Sequence, residues 1–274
     1  MQREIPISNI QNASAGKKAL LICPVGDTYD EITIAYTGTA VTRAMLTNIK
    51  VLASGEEIQF FTDGNELQAI NNYYKRADNA GYLTIYFNRR EMKSLSDERI
   101  FGAGTADQAS FVIESDILGT APADFAITAE ALVSAPQPLG VFTRVKKFNF
   151  SASVAGDLDI STLTMGPRII AMHVVKPDAS KVLVKADEVV LFDTTKLKAQ
   201  VVQLNYGRTP QSATMTHVDF CLEGDAAGAF ITELNDPSRP YKKTKDVLLR
   251  PTLDTAGAGY VLVEYFDTLV KNAA

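Results

Sequence analysis

Alternation with a period of two runs through most of the chain. Ile32, Ile34 and Tyr36 fall on one side of a predicted strand, and Glu31, Thr33 and Ala35 on the other, as in a half-buried β-strand. Ile49 and Val51 continue the pattern, and Ser54-Gly55 marks a hairpin turn into Glu57-Ile58-Gln59-Phe60-Phe61. The period then changes. Asp63 is placed to cap a helix, Glu66 stands three residues on as in a capping box, and Leu67, Ile70 and Tyr74 make an apolar stripe. Asn79-Ala80-Gly81 ends this unit, and strands are predicted over 82–87, 108–116 and 125–133.

Ala135-Pro136-Gln137-Pro138-Leu139-Gly140 cannot sit inside a sheet and falls at the midpoint of the chain. Beyond it the order repeats. An apolar strand over 168–175 precedes a strand pair over 181–185 and 188–192. Asp193 stands where Asp63 stood, ahead of a helix with the stripe Leu197, Val201 and Leu204, and a strand over 216–222 follows. Matching Ile32 to Ile169 and Leu83 to Val218 gives offsets of 137 and 135 residues in a chain of 274. That period is far too long for a solenoid or propeller unit. The expectation is all-β: two tandem eight-stranded jelly-roll sandwiches, 1–138 and 139–274, each with a short inserted helix. Long loops at 88–105 and around Gly156 and Asp236 are where assembly or binding contacts are expected.

Composition narrows the setting. The 46% hydrophobic and 22% charged content is that of a folded globular protein, and 274 residues is about twice a common domain. A formal charge of −5 gives no global drive toward nucleic acid or anionic membrane. Cys23 and Cys221 are too few for a disulfide framework and lack metal-ligand spacing, and are read as buried thiols of a reducing compartment. Met1-Gln2-Arg3-Glu4-Ile5-Pro6 has no apolar signal core, and the apolar region 111–135 is interrupted by Glu114, Asp116, Asp124 and Glu130. The reading is a soluble protein made inside a cell.

Candidate chemistry is thin. Asp63 and Asp193 occupy the same place in the repeat, as the two carboxylates of a duplicated acid protease do. Yet Thr62-Asp63-Gly64 and Asp193-Thr194-Thr195 both break the required Asp-Thr/Ser-Gly, so both are read as helix caps. His217, Asp219 and Cys221 alternate onto one face of a strand. Over i to i+4 a strand rises about 13 Å, too far for a thiol–imidazole pair, and one strand makes an incomplete zinc site. His173 is the only other histidine, and these residues are read as packing. Asp157-Leu158-Asp159 and Glu223-Gly224-Asp225 offer oxygens for calcium but fit no EF-hand loop. Arg89-Arg90, Arg144-Val145-Lys146-Lys147 and Lys242-Lys243-Thr244-Lys245 are read as solvated surface, with contact to anionic lipid or a partner as the alternative. Gly102-Ala103-Gly104 and Gly257-Ala258-Gly259 lack the lysine of a phosphate loop, and the sequon Asn12-Ala13-Ser14 has no secretory context. No catalytic, cofactor-binding or metal-binding residue is assigned.

The landmarks carry a resemblance. Asn9-Ile10-Gln11-Asn12 with Ala15-Gly16, Pro24-Val25-Gly26 with Thr28-Tyr29, and Phe87 with Arg89, Glu91, Met92 and Lys93 come first. Arg99, Phe101 and Gly104-Thr105 follow; then Gly166, Arg168-Ile169 and His173; then Asp219-Phe220, Leu222-Glu223-Gly224-Asp225 and Val263-Glu264-Tyr265. In this order the sequence resembles the major capsid proteins of corticoviruses, and more widely the double jelly-roll lineage of tectiviruses and adenoviruses. Residues 121–142 and 224–246 depart from the pattern.

The resemblance implies upright jelly rolls, a pseudo-hexagonal homotrimer, and a shell of trimers over an internal lipid membrane. Penton and internal-membrane proteins, and contact with lipid headgroups, are the partners it implies, with no direct nucleic acid. It also associates calcium with the shell, with no ligand set that maps onto this chain. A structural, non-enzymatic capsid protein, assembled in the host cytoplasm, is therefore the leading reading. A carbohydrate- or receptor-binding sandwich is the alternative, disfavoured by the absence of tryptophan; a hydrolase using Asp63 and Asp193 is the third.

Overall fold

A computed structural model of the chain describes residues 2–165, 167–232, 244 and 246–269. It divides into two units: Met1–Asn72, Arg76–Val145 and Thr268–Ala274 form the first, and Tyr73–Lys75 with Lys146–Asp267 the second. No regular structure spans 135–141, and the change of unit comes a few residues later, at Val145.

The first unit contains β1 (Arg3–Pro6), β2 (Asn9–Gln11), β3 (Lys18–Cys23), β4 (Thr28–Thr37), β5 (Leu46–Ala53) and β6 (Glu56–Asp63). After these come α1 (Gly64–Tyr73), β7 (Tyr82–Tyr86), α2 (Leu95–Arg99), β8 (Ala103–Gly104), β9 (Phe111–Ile117) and β10 (Ala126–Ser134). β11 (Phe142–Ala152) carries the chain onward to β12 (Gly156–Asp157), β13 (Arg168–Val175), β14 (Ala179–Ala186) and β15 (Val189–Thr195). The remainder is α3 (Lys196–Asn205), β16 (Thr216–Asp219), β17 (Phe230–Ile231), β18 (Val247–Leu253) and β19 (Gly257–Asp267).

The strand orders of the two units correspond term for term. One sheet runs β1-β10-β4-β7 in the first unit and β11-β19-β13-β16 in the second. The other runs β6-β5-β9-β3 and β15-β14-β18-β12. Each unit is thus an eight-stranded jelly roll, with β2, β8 and β17 as short additions, and the chain is a double jelly roll. The repeat expected from the spacing is present, with α1 and α3 in equivalent places.

The cores follow from the alternation. Ile32, Ile34 and Tyr36 are buried while Glu31, Thr33 and Ala35 are half-buried. Tyr29 of β4 stacks on Phe111 of β9 with ring centroids 5.1 Å apart, joining the two sheets of the first unit. In the second unit Ile169, Met172, Val174, Val182, Val184, Leu249, Val261 and Val263 form one buried cluster. Burying each such aliphatic side chain contributes roughly 1.5–3 kcal/mol. Ser54 and Gly55 both have positive φ, 49° and 84°, giving the tight β5–β6 hairpin expected of them.

The start of α1 matches its capping box. The Glu66 N–H donates to Asp63 Oδ1 at 2.9 Å, and the Thr62 N–H donates to Glu66 Oε2 at 2.5 Å. At Gly64 any side chain would run into the Arg43 carbonyl oxygen.

The start of α3 corrects the sequence reading. Asp193 remains in β15, opposite Leu183, and pairs with Lys181 at 2.7 Å. Thr195 is the cap instead, accepting from the Lys198 N–H at 3.4 Å. The strand runs to Thr195 instead of ending at Phe192, and the cap moves with it from Asp193 to Thr195.

The basic pair Arg89-Arg90 needs a second correction. Arg89 is buried, its Nε 2.8 Å from Glu91 Oε1, while Arg90 pairs with Glu31 at 2.9 Å. In the 144–147 run, Arg144 bonds the Glu57 carbonyl at 3.1 Å and Lys147 lies 3.9 Å over the Tyr260 ring. Only Thr244 of the 242–245 run lies within the described residues.

Asp63→Ala is expected to lower stability by about 1 kcal/mol, since it removes a helix cap. Asp193→Ala removes only an exposed ion pair and should cost roughly 0–1 kcal/mol. Urea denaturation of the two variants checks the asymmetry, and equal losses would contradict these assignments.

Candidate functional site

α3 packs on β14, β15 and β16, and its orientation runs against its hydropathy. Ala199 and Gln203 face inward, whereas Leu197, Val201 and Leu204 are 75%, 60% and 58% exposed. This corrects the expectation that Leu197, Val201 and Leu204 form the buried stripe. A polar anchor fixes the roll: buried Gln203 donates from Nε2 to the His217 carbonyl at 2.8 Å.

Beneath the helix lies a buried polar cluster. β13 and β16 pair in a register that places His173 directly opposite His217, so the chain's two histidines meet. Their Nδ1 atoms are 2.7 Å apart, and His173 Nε2 lies 3.0 Å from Glu264 Oε1 on β19. The Tyr74 hydroxyl donates to Glu264 Oε2 at 3.1 Å, and Tyr73 stacks on His217 at 4.1 Å. Tyr73 also donates to Asp219 at 3.1 Å, and Arg208 donates to the same carboxylate at 2.9 Å. Burial, with repulsion from His173, pushes the His217 pKa well below the usual histidine range.

Asp219 is the last residue of β16 and accepts the Cys221 N–H at 2.9 Å, so Cys221 lies past the strand's end rather than on its face. Both cysteines are buried thiols, and burial pushes Cys23 up to about 12, which suppresses thiolate reactivity.

The other candidates have structural partners. Asp159 pairs with Arg250, Asp157 accepts from Thr252 Oγ1 at 2.6 Å, and Asp225 accepts the Ala227 N–H at 2.8 Å. Among the described residues no three His, Cys, Asp or Glu side chains are grouped to hold a metal. Gly104 closes against the Pro138 carbonyl and Gly259 against the Phe150 ring, so both glycine pairs serve packing. Asp63 and Asp193 are each occupied, one as a helix cap and the other in an ion pair.

The surface that stands out is apolar. Besides the α3 residues, Val189 and Val190 on β15 are 61% and 52% exposed, and β15 is the edge strand of its sheet. Val202 of α3 and Tyr206 just past its end, with Phe220 and Leu222, line an open groove of about 360 Å³ with Glu223 and Asp225. Large exposed apolar side chains and an open strand edge are features of a surface that another chain covers. Hydropathy periodicity located the residues of α3 but assigned them inward; the buried Gln203 was the missed signal.

In the isolated chain Gln203→Ala should cost roughly 1–3 kcal/mol, because it leaves the buried His217 carbonyl unpaired. Leu204→Ser should change stability by only about 0.5 kcal/mol or less. Urea melts of dilute protein check this inversion; a larger loss for Leu204→Ser would contradict it.

Comparison with known proteins gives this surface a context. Residues 4–134 match the N-terminal domain of viral coat protein P2, and residues 142–269 match its C-terminal domain. Major capsid protein P2 of Pseudoalteromonas phage PM2 is 29% identical over 283 aligned positions, covering 99% of both chains. The crystal structure of P2 from bacteriophage PM2 superposes with a TM-score of 0.91 at 25% identity, over 99% of both chains. An atomic structure of Sulfolobus Turreted Icosahedral Virus matches with a TM-score of 0.68 at 10% identity, over 98% of this chain and 92% of that one. The PBCV-1 virus capsid matches at 0.64 and 8%, over 97% and 93%; at such identities the likeness is one of fold. The two domain matches, in order along nearly the whole chain, show that it belongs to the P2 family of viral coat proteins, structural capsid components and not enzymes.

Proposed function

We propose that this chain is the building block of an icosahedral phage shell, with three copies forming a pseudo-hexagonal homotrimer that tiles over an internal membrane. Each copy contributes two jelly rolls, 1–138 and 139–274. Penton and internal-membrane proteins of the virion are the further partners, with lipid headgroups within reach of the inner face, no direct contact with nucleic acid, and assembly in the host cytoplasm.

One observation carries the assembly reading: the outward apolar side of α3 with the edge of β15. Leu197, Val201, Leu204, Val189 and Val190 are exposed in the single chain, and a coat subunit has neighbours that can cover them. Interfaces of obligate oligomers are the more apolar class, with a polar rim. Glu223 and Asp225 in the adjoining groove supply polar groups for such a rim. The double jelly-roll fold and the family assignment support the same reading.

Sedimentation velocity of the full chain near neutral pH tests it. The unmodified protein should sediment as a trimer, with a hexagonal outline by negative-stain microscopy. The double variant Val201→Asp, Leu204→Asp should sediment as a folded monomer, because two carboxylates on the covered face would be buried without partners. An unmodified protein that is a clean monomer at micromolar concentration would overturn the proposal.

A further inference from the structure

A chain of three polar bonds threads the core of the second unit. The Gln211 backbone N–H meets His217 Nε2 at 3.1 Å, His217 meets His173 through their Nδ1 atoms at 2.7 Å, and His173 Nε2 meets Glu264 at 3.0 Å. A backbone N–H can only donate, so His217 Nε2 accepts. The neutral His217 ring therefore carries its proton on Nδ1 and donates it to His173 Nδ1. His173 in turn carries its proton on Nε2 and donates it to Glu264, whose other oxygen accepts from the Tyr74 hydroxyl. The bonding partners fix both tautomers.

A proton added to either ring has no acceptor in this arrangement. On His217 it occupies Nε2 and sets N–H against the Gln211 N–H. On His173 it occupies Nδ1 and sets N–H against the His217 Nδ1–H. Moving the His217 proton to Nε2 only recreates the first conflict. We propose that His173 and His217 form an acid-operated latch that holds residues 206–215, the segment leading from α3 into β16, and releases it when His217 is protonated.

The surroundings bear on the latch from every side. Tyr73 and Tyr74 pack against the rings, β16 supplies Asp219, and the held segment itself supplies Arg208, whose Nε is 2.9 Å from Asp219. β19 supplies Glu264, α3 supplies Gln203, and the Lys196 charge disfavours a protonated His217. The His217 pKa is lowered by burial first and by His173 second. The unfolded ring takes up its proton near the ordinary value of 6.5, while the folded ring resists it. Unfolded protein then binds more protons at acid pH, so the latch is fully stable above about pH 6.5 and weakens as the pH falls below it. Any consequence for a shell rests on the assembly reading, because the released segment adjoins α3; the latch itself does not.

Cys221 reports on it: Arg208 of the held segment donates to the Cys221 carbonyl at 3.1 Å, while buried Cys23 in the first unit is an internal reference. Both thiols of the full chain are labelled with dithiodipyridine, which reacts in acid, each rate being normalised to that of denatured chain at the same pH. Between about pH 7.5 and about pH 5, labelling at Cys221 should accelerate roughly tenfold or more while Cys23 stays within about twofold. His217→Gln should remove the difference between the two pH values. Equal responses at the two cysteines, or no response, would overturn the latch. If the variant does not fold, the Cys221-to-Cys23 ratio in the unmodified chain decides alone. A monomer by sedimentation near neutral pH overturns the assembly reading instead, and leaves the thiol ratio as the judge of the latch.

Discussion

The interaction on which the second unit turns is the hydrogen bond from Gln203 to the His217 carbonyl. An amphipathic helix normally buries its apolar stripe, and each buried leucine is worth roughly 1.5–3 kcal/mol. In α3 a glutamine faces in, and Leu197, Val201 and Leu204 face out. The helix can hold this orientation because the ground beneath it is polar: His173, His217, Glu264, Asp219 and Arg208 bond to one another or to the two tyrosines. A buried polar network tolerates no missing partner, so it selects one roll of the helix over its competitors. The outward apolar surface is the other side of that selection.

The internal repeat shows that the topology does not require this arrangement. α1 occupies the same place as α3, after the second strand of a hairpin and before the strand that closes its sheet. Its Leu67 and Ile70 are buried, as helical periodicity demands. Two copies of one plan have thus acquired two surfaces, one closed and one left open at a helix and a strand edge. A shell subunit needs such an asymmetry, since a chain whose apolar faces were all satisfied internally would have little reason to associate.

Much of the architecture was legible because it depends on local rules. Alternation at Ile32, Ile34 and Tyr36, the Ser54-Gly55 turn and the Asp63–Glu66 box each involve residues close in sequence, and each appears as expected. The repeat was legible because it is an ordering of such signals. What was not legible depends on long-range register. Asp193 mimicked Asp63, but β15 runs on to Thr195 through its pairing with β14. Arg89 looked solvated until Glu91 and its burial were visible, and two histidines 44 positions apart gave no sign that β13 and β16 would place them face to face. The roll of α3 was misassigned for the same reason: its anchor is the carbonyl of a residue on another strand.

In the proposed assembly, neighbouring copies cover the outward side of α3. Covalent footprinting of side chains, comparing assembled particles with dissociated chain, measures this directly. Leu67 and Ile70 serve as buried references. Modification of Leu197, Val201 and Leu204 should be strong in the dissociated chain and fall to the level of the references on assembly. Equal modification of these three residues in both states would contradict it.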